Sequence, residues 1–184
     1  MVNLQELIEK VKLEAIKKNK FIELEVTNGN CKNDEIIDSK LPFSIFQNST
    51  LENVKFKNVR LSGSSFENCT FENCIFDDCI LLDTTFASCN FKTCQFLDSI
   101  FKSSDFSKVI FTNCNFLKNS LAKVWFESCE FINTEIETSD SFDLVQTVIA
   151  NSTFGKSDKS ITFNGEFFLI NILLPSNKLE DLLS

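Results

Sequence analysis

Residues 65–96 read "SFENCTFENCIFDDCILLDTTFASCNFKTCQF", with a Phe or a Leu at every fifth position. A period of five is neither the 3.6-residue period of an α-helix nor the two-residue period of a β-strand. The same spacing continues without a slip from Phe46 to Ile136. So regular a period indicates a repeat architecture, which decides how every other segment is interpreted.

A second, smaller residue lies two positions before each large one. In order these residues are Ser44, Ser49, Val54, Val59, Ser64, Cys69, Cys74, Cys79, Thr84, Cys89, Cys94, Ser99, Ser104, Val109, Cys114, Asn119, Val124, Cys129 and Thr134. Only Asn119 is neither small nor β-branched, and the other three positions of each repeat are mostly polar. We expect the large and the small residue to point inward from a chain that turns a corner every five residues. Four corners would close a coil of about 20 residues, and stacked coils would lie about 4.8 Å apart.

This spacing and this choice of residues resemble the pentapeptide-repeat family. The resemblance implies an all-β solenoid, a right-handed quadrilateral β-helix with four repeats in each coil. One feature departs from the family, which usually has Asp or Asn just before the large residue. Here only Asn90, Asp105 and Asn115 follow that pattern. Because the fold depends on the inward pair, we still predict the β-helix.

The inward residues are predicted to form the structural core, with equivalent residues of successive coils stacked at 20-residue intervals. The predicted core comprises Phe66, Phe71, Phe76, Phe86, Phe91, Phe96, Phe101, Phe106, Phe111, Phe116, Cys74, Cys94 and Cys114. Each Phe buries roughly 150–250 Å² at about 25 cal/mol per Å², so this core should supply most of the stability.

The residue two after each large one should be the third residue of a corner. In the first two coils these are Asn48, Asn53, Asn58, Gly63, Asn68, Asn73, Asp78 and Asp83. All of them tolerate a positive φ, which a type II turn demands at that place. From Ser88 onward most do not, Lys108 and Lys118 among them. We therefore predict type II corners in the first two coils and mostly other corners after them.

Five segments are predicted. Residues 1–20 form an N-terminal helix that caps the first coil, because Leu4, Leu7 and Val11 lie on one helical stripe. A membrane-surface helix is the alternative, which the glutamates of this segment disfavour. Residues 21–43 are a lead-in strand and loop, 44–140 the regular β-helix, and 141–174 one or two irregular final coils. Residues 175–184 are a C-terminal tail that includes a short helix.

Eight cysteines raise the question of a metal site or disulfides. Seven occupy the small inward position, whereas Cys31 lies outside the repeat. Cys69, Cys74 and Cys79 would point inward from different faces and the chain has no His, which disfavours zinc. Stacked cysteines lie parallel rather than facing each other, which disfavours disulfides. We predict buried free thiols, no metal, no cofactor and a reducing, cytoplasmic location.

Composition argues against several classes of function. The net charge of −8 disfavours direct nucleic-acid binding, and the longest apolar run, residues 167–174, is too short to span a bilayer. Without His, a Ser or Cys nucleophile lacks its usual base, and no glycine-rich phosphate loop is present. We therefore expect a protein-interaction or structural module and not an enzyme, with a protein partner and no membrane association.

One outward feature is acidic, comprising Glu67, Glu72, Asp77, Asp78 and Asp83. The family resemblance suggests an alternative function here, because its quinolone-resistance members are dimers that mimic DNA and bind gyrase. The coil, however, would distribute these acids around all faces. Over residues 41–140 the net charge of about −5 is well below the roughly −14 of duplex DNA of that length. DNA mimicry is therefore the second candidate.

The other outward feature is apolar and comprises Ile75, Ile80, Leu82, Leu97, Ile100 and Leu117. Stacking would place these side chains on two adjoining faces, with Ile80 directly below Ile100. A contiguous exposed patch of this kind marks a contact surface. Two interpretations stay open. The patch is a contact surface, or it is covered by residues 137–160 or by a terminal helix. A homodimer through this patch or through the C-terminal helix is a further hypothesis.

Overall fold

The computed structural model describes residues 6–7, 23–138, 142–145, 147–150, 152–155, 161–164 and 168–170. Between Glu23 and Thr138 the chain forms 18 strands and no helix. Each of these strands is three residues long and is centred on a buried residue. The predicted all-β solenoid is therefore present in the described part of the chain.

The strands form three parallel sheets. Sheet A contains β1 (Glu25–Thr27), β4 (Ile45–Gln47), β7 (Ser65–Glu67), β10 (Thr85–Ala87), β13 (Asp105–Ser107), β16 (Trp125–Glu127), β19 (Phe142–Val145) and β22 (Ile161–Asn164). Sheet B contains β2 (Asn30–Lys32), β5 (Thr50–Glu52), β8 (Thr70–Glu72), β11 (Asn90–Lys92), β14 (Ile110–Thr112), β17 (Glu130–Ile132), β20 (Val148–Ala150) and β23 (Phe168–Ile170). Sheet C contains β3 (Glu35–Ile37), β6 (Lys55–Lys57), β9 (Ile75–Asp77), β12 (Gln95–Leu97), β15 (Asn115–Leu117), β18 (Glu135–Glu137) and β21 (Thr153–Gly155).

A fourth line of contacts completes each turn between sheet C and sheet A. It consists of isolated parallel bridges that join, in order, Lys40, Arg60, Ile80, Ile100 and Ser120. We call this line the bridge ladder. Three strands and one bridge thus recur in each regular turn, and residues 23–138 form a parallel β-solenoid of about six turns.

Every large residue of the five-residue period points into the solenoid. All thirteen residues of the predicted core are buried, none more than 1% exposed. Equivalent rings stack along the solenoid with nearly parallel planes, and the centroids of Phe66 and Phe86 are 4.7 Å apart. Neighbouring rings within a turn meet edge to face, as Phe91 and Phe96 do at 5.3 Å. Both arrangements are favoured by the aromatic quadrupole, so the core is ordered as well as apolar.

The small inward residue joins successive turns by hydrogen bonds. The Cys74 thiol donates to the Leu51 carbonyl at 3.2 Å, and the Thr84 hydroxyl donates to the Leu61 carbonyl at 3.1 Å. Where this residue is Ser, its oxygen also accepts from the backbone of the previous turn, as Ser99 Oγ does from the Cys79 N–H at 2.9 Å. This position therefore favours a small side chain that carries a donor.

Asn119, the exception among the small residues, makes the same two bonds with its amide. Its Nδ2 donates to the Phe96 carbonyl at 2.8 Å, and its Oδ1 accepts from the Ser99 N–H at 2.9 Å. The side chain is only 4% exposed. Asn119 therefore continues the pattern of hydrogen bonding even though its size departs from the pattern of the sequence.

The corners are more uniform than we predicted. The third corner residue keeps a positive φ well beyond the first two coils, from 53° at Ser88 to 50° at Asn133, and both Lys108 (55°) and Lys118 (56°) adopt it. The predicted change to other corners is therefore wrong. The cost of a left-handed conformation is about 1–2 kcal/mol for a residue with a Cβ. Pairing of each corner with its neighbours, as Lys108 N–H with the Glu127 carbonyl at 2.8 Å, outweighs that cost.

Asn at a corner has a second use. Its side-chain amide donates to the corner residue one turn earlier, from Asn53 to Asn33 at 2.9 Å and from Asn58 to Asp38 at 2.7 Å. Asn68 bonds to Asn48 in the same way at 3.3 Å. Asparagine is therefore favoured here by its neighbours as well as by its tolerance of positive φ.

One corner column contains an unusual pair. Phe43 has a φ of 58° and is 59% exposed, although a bulky residue rarely adopts a positive φ. In the next turn the same place is taken by Gly63, with a φ of 69°. A Cβ on Gly63 would lie 2.6 Å from Cε1 of Phe43, so the ring lies over the glycine. Glycine is thus favoured by the positive φ, and the close approach of the ring leaves no room for a Cβ.

Regular pairing begins earlier than the repeat pattern indicated. Strands β1, β2 and β3 lie within the segment 21–43 and are already paired in register with the next turn, Val26 with Phe46 and Ile36 with Phe56. Cys31, which we placed outside the repeat, is buried and pairs with Leu51. The pattern missed this turn because Val and Cys stand where later turns have Phe.

The final turns are shorter than the regular ones. Thr134 N–H bonds to Ser152 Oγ, a separation of 18 residues instead of 20. Phe126 pairs with Leu144, and Leu144 pairs with Phe163, so sheet A continues through the segment 141–174. The strands therefore stay paired with the previous turn even where the five-residue register of the sequence is lost.

Both predicted terminal helices lie largely outside the described residues. Of the segment 1–20 the structure describes Glu6 and Leu7, and Leu7 packs against the buried core. Nothing of 175–184 is described. The N-terminal cap and the C-terminal tail therefore stay predictions.

Candidate interaction surface

The interior of the described part of the chain is lined with thiols. All eight cysteines are free and buried. Burial raises the pKa of Cys79 from 9.0 to about 11 and the pKa of Cys129 to about 12. A thiol is a nucleophile only as its thiolate, so these side chains are held in the unreactive form.

These raised pKa values predict a loss of stability at high pH. A thiol that is harder to ionise in the folded state stabilises the protein fully below pH 9, and that contribution is lost as pH rises from 9 to about 11. For Cys79 the loss should reach about 1 kcal/mol at pH 10. The Cys79→Ser variant cannot ionise there, and Ser already occupies the equivalent place at Ser99.

We expect urea unfolding of the reduced wild type to show a larger fall in free energy between pH 8 and pH 10 than unfolding of Cys79→Ser. The difference isolates this thiol from every other group in the protein, since both proteins share all the others. An identical fall in both proteins would contradict a raised pKa at Cys79.

The described residues include neither a candidate metal cluster nor a membrane-spanning helix. In that part of the chain, no group of three or more His, Cys, Asp or Glu side chains is arranged to hold a metal ion. No helix among the described residues is long and apolar enough to cross a membrane.

The five acidic candidates lie on different faces. Glu67 belongs to sheet A, Glu72 to sheet B and Asp77 to sheet C. Asp78 occupies the corner that follows Asp77, and Asp83 occupies the next corner along the chain. The structure therefore brings Asp77 and Asp78 together and separates the others.

Two of these acids are engaged in contacts within the chain. Glu72 forms an ion pair with Lys92 on the next turn, with Oε1 and Nζ 3.2 Å apart. Glu67 accepts from Nε2 of Gln47 at 3.1 Å. Elsewhere, Glu35 pairs with Lys55 at 3.3 Å, and Lys32 pairs with Glu52. Opposite charges one turn apart thus offset part of the surface charge.

The six apolar candidates lie on two adjoining parts of the surface. Ile75, Leu97 and Leu117 belong to sheet C, where Leu97 pairs in register with Leu117. Ile80 and Ile100 are joined by a bridge in the ladder. Leu82 follows the ladder within the same turn. Ile100 is 38% exposed and the other five are partly exposed.

The ends of the sheet C strands and the bridge ladder form one continuous surface, which we call the edge surface. It comprises the last residues of β3, β6, β9, β12 and β15, the corner after each, and the bridge ladder. Along the turns its members are Ile37, Asp38, Lys40, Lys57, Asn58, Arg60, Asp77, Asp78, Ile80, Leu97, Asp98, Ile100, Leu117, Lys118 and Ser120.

The sequence patterns missed several exposed residues. Large apolar side chains are exposed at Ile37 (44%), Phe43 (59%), Ile45 (39%) and Trp125 (42%). The first two lie in the segment that we took as a lead-in. Had the five-residue register been extended back from Phe46, Ile37 and Phe43 would have been assigned outward positions.

Comparison with known families agrees with the five-residue geometry. Residues 49–126 match the family model described as "Pentapeptide repeat region". The chain carries a pentapeptide repeat region. The expected resemblance to pentapeptide-repeat proteins is thereby confirmed over these residues, which lie in the most regular turns of the solenoid. No curated protein matches the sequence.

Solved structures with a similar course of the chain are distant in sequence. QnrB1, described as a plasmid-mediated fluoroquinolone resistance protein, is 14% identical with a TM-score of 0.46, over 88% of this chain and 96% of that one. The pentapeptide repeat protein Rfr23 from the cyanobacterium Cyanothece 51142 is 11% identical with a TM-score of 0.43, over 73% of this chain and 99% of that one. HetL from Nostoc sp. strain PCC 7120, described as involved in heterocyst differentiation regulation, is 10% identical with a TM-score of 0.24 over 95% of both chains. These similarities are too weak to assign a function to the pentapeptide repeat region.

Proposed function

We propose that this chain is a non-enzymatic, cytoplasmic interaction module that presents the edge surface of a right-handed quadrilateral β-helix to a protein partner. The observation that carries the proposal is the pair of outward apolar lines, Ile80 with Ile100 and Leu97 with Leu117. Apolar side chains that adjoin on a surface usually mark a contact site.

The packing of the interior supports a binding role for the surface. Aromatic rings and small hydrogen-bonded residues fill the core. A partner can therefore be contacted only by the outward side chains. Those side chains are placed on strands whose backbones are paired on both sides, as Phe96 is with Phe76 and Phe116. A surface held in this way loses little conformational entropy on binding, which favours affinity.

The organisation of the segments completes this proposal. Residues 1–20 would cap the N-terminal end of the β-helix, and 175–184 would form a tail at the other end. An open solenoid end exposes backbone groups that promote edge-to-edge growth, so a cap keeps the module soluble. The contact of Leu7 with the core supports a cap at the N-terminal end.

The proposal is tested by affinity capture with a matched control. The purified chain, its Ile80→Lys/Ile100→Lys variant and a Thr50→Lys/Thr70→Lys control are immobilised and exposed to lysate of the native organism. Both variants add two lysines to register partners on consecutive turns, in the bridge ladder and in sheet B. We expect a defined protein to bind the wild type and the control at least tenfold more than the edge variant. Equal capture by all three proteins would overturn the role of the edge surface.

Inhibition of gyrase by DNA mimicry is the second candidate function. It is supported by three acids that converge on the edge surface, Asp77, Asp78 and Asp98, the last two at corners one turn apart. A supercoiling assay, with and without a quinolone, compares the wild type with Asp77→Lys/Asp78→Lys/Asp83→Lys. Inhibition or drug protection that the triple variant loses would support mimicry. No effect of the wild type at high micromolar concentration would rule it out.

A further inference from the structure

Sheet A differs from the other two sheets in the charge of its surface. From β1 to β16 its strands carry exposed acids on the outward side and no Lys or Arg. The acids are Glu25, Glu67, Asp105 and Glu127. Among the described residues, ion pairs between strands lie on the other sheets, through Lys32 and Lys92 in sheet B and Lys55 in sheet C. The acids of sheet A therefore lack the cation on an adjacent strand that acids of sheets B and C have.

Trp125 lies on this sheet and is the single tryptophan of the chain. Its side chain is 42% exposed. Within the described part of the chain it makes no hydrogen bond and no contact with another aromatic ring. A large aromatic side chain in this state leaves apolar area in water, which a bound partner would bury. Tryptophan is also among the residue types most enriched where a few side chains dominate binding energy.

Two of the four acids lie beside Trp125. Asp105 is its register partner on the previous turn, and adjacent parallel strands are about 4.8 Å apart. Glu127 is exposed on the same strand, about 7 Å further along it. Neither carboxylate forms an ion pair or a hydrogen bond with another described residue. Trp125 therefore has one available carboxylate across the sheet and another along the strand.

Two lysines border this part of the sheet, and both lie at corners. They are Lys108 and Lys123, and neither forms an ion pair with Asp105 or Glu127. With the corners on both sides included, the turns from β1 to β16 carry five acids on this face, Asp83 among them, against these two lysines. The face therefore keeps an excess of negative charge, which a cationic ligand would complement.

We infer that sheet A binds an arginine side chain of a protein partner, with the guanidinium over the Trp125 ring and beside the carboxylates of Asp105 and Glu127. A guanidinium is planar, so it can stack on an indole face while its edge donates to a carboxylate. An ammonium has no such plane and is more strongly hydrated, so lysine should bind more weakly. The site goes beyond the proposed function, because it lies on a different face from the edge surface.

Charge favours this occupant over a neutral one. A sugar ring also stacks on tryptophan, but it would leave both carboxylates without a counter-charge. The absence of cations from the strands of sheet A between β1 and β16 is the feature that distinguishes this face, and only a cationic ligand makes use of it.

The test uses Trp125 as its own reporter, because the chain has no second tryptophan and no tyrosine. The reduced full-length chain is titrated at low salt with the blocked peptide Gly-Arg-Gly, and intrinsic fluorescence is recorded. The comparison probes are Gly-Lys-Gly and the peptide with citrulline, which has the shape of arginine without its charge. We expect a dissociation constant on the order of 1–10 mM for the arginine peptide. Binding should be about threefold weaker for the lysine peptide and at least about tenfold weaker for the citrulline peptide.

A pair of double variants locates the site. Asp105→Asn/Glu127→Gln should bind the arginine peptide at least about tenfold more weakly, and it keeps the ring as a reporter. The matched control is Glu25→Gln/Glu67→Gln, which removes two negative charges from earlier turns of the same sheet. The control should bind within about twofold of the wild type. All four side chains are exposed, so both variants should unfold in urea like the wild type.

Three results would overturn the inference. The first is fluorescence that the arginine peptide leaves unchanged at tens of millimolar, and the second is equal binding of the citrulline peptide. The third is a control that binds as weakly as Asp105→Asn/Glu127→Gln, since net charge alone would then explain the effect. A response to cellotriose without one to the arginine peptide would assign the ring to a sugar and also overturn the inference. The capture experiment is independent of these results, because its variants lie in the bridge ladder and in sheet B.

Discussion

Replacing Phe91 by alanine is expected to lower the free energy of unfolding by about 3–5 kcal/mol. The ring is fully buried and stacks on Phe71 at 4.4 Å and on Phe111 at 5.2 Å. It also meets the edges or faces of Phe76, Phe86 and Phe96. Because backbone pairing holds the surrounding turns in place, they cannot collapse into the cavity, and the cost should lie near the upper end. Urea unfolding followed by circular dichroism measures it.

Two further variants test whether the loss in free energy of unfolding comes from burial of the ring. Phe91→Leu should cost clearly less than Phe91→Ala, since Leu51 occupies the same column fully buried. Phe43→Ala is the surface control, because that ring is 59% exposed, and its cost should be below about 1 kcal/mol. Equal costs for Phe91→Ala and Phe43→Ala would contradict the stacked aromatic core.

The second large effect is expected at Asn119, where leucine should cost about 2–4 kcal/mol although it has a similar size. The change removes the donor to the Phe96 carbonyl and the acceptor for the Ser99 N–H. Both backbone groups lie beneath a side chain that is only 4% exposed, so water cannot replace the lost bonds. The same unfolding assay measures the loss.

Serine is the matched substitution at this position. Ser99, one turn earlier in the same column, makes both bonds with its hydroxyl. Asn119→Ser should therefore retain most of the stability that Asn119→Leu loses. If leucine proved as stable as asparagine, the hydrogen bonds between turns would not be the reason for this residue.

Much of the fold could be predicted because the inward positions depend on short-range spacing alone. The alternation that buries Phe66, Phe71 and Phe76 follows from the five-residue period, as does the burial of Cys74, Cys94 and Cys114. The hydrogen bonds of Asn119 could not be predicted in this way. Its size departs from the pattern, and its partners lie about 20 residues away in the sequence.

Less of the candidate surface could be predicted. The outward apolar residues could be assigned from the period, and the bridge between Ile80 and Ile100 matches their expected stacking. Lys40, Lys57 and Arg60 were not selected, because only the structure shows that they share the edge surface with Asp77 and Asp78. The ion pair of Glu72 with Lys92 was also missed, and it removes Glu72 from the acids free to meet a partner.

The sequence by itself determined the period, the two inward positions and the resemblance to pentapeptide-repeat proteins, since each depends on residues no more than five apart. Tertiary structure decided the corners, the first turn and the neighbours of each outward side chain. Lys108, Lys118 and Lys123 adopt the positive φ of the asparagine corners because the adjoining turns hold the backbone there. Val26 and Cys31 join the core because pairing with Phe46 and Leu51 places them inside. In each case hydrogen bonds between turns, made by residues about 20 apart, outweigh a local preference of about 1 kcal/mol.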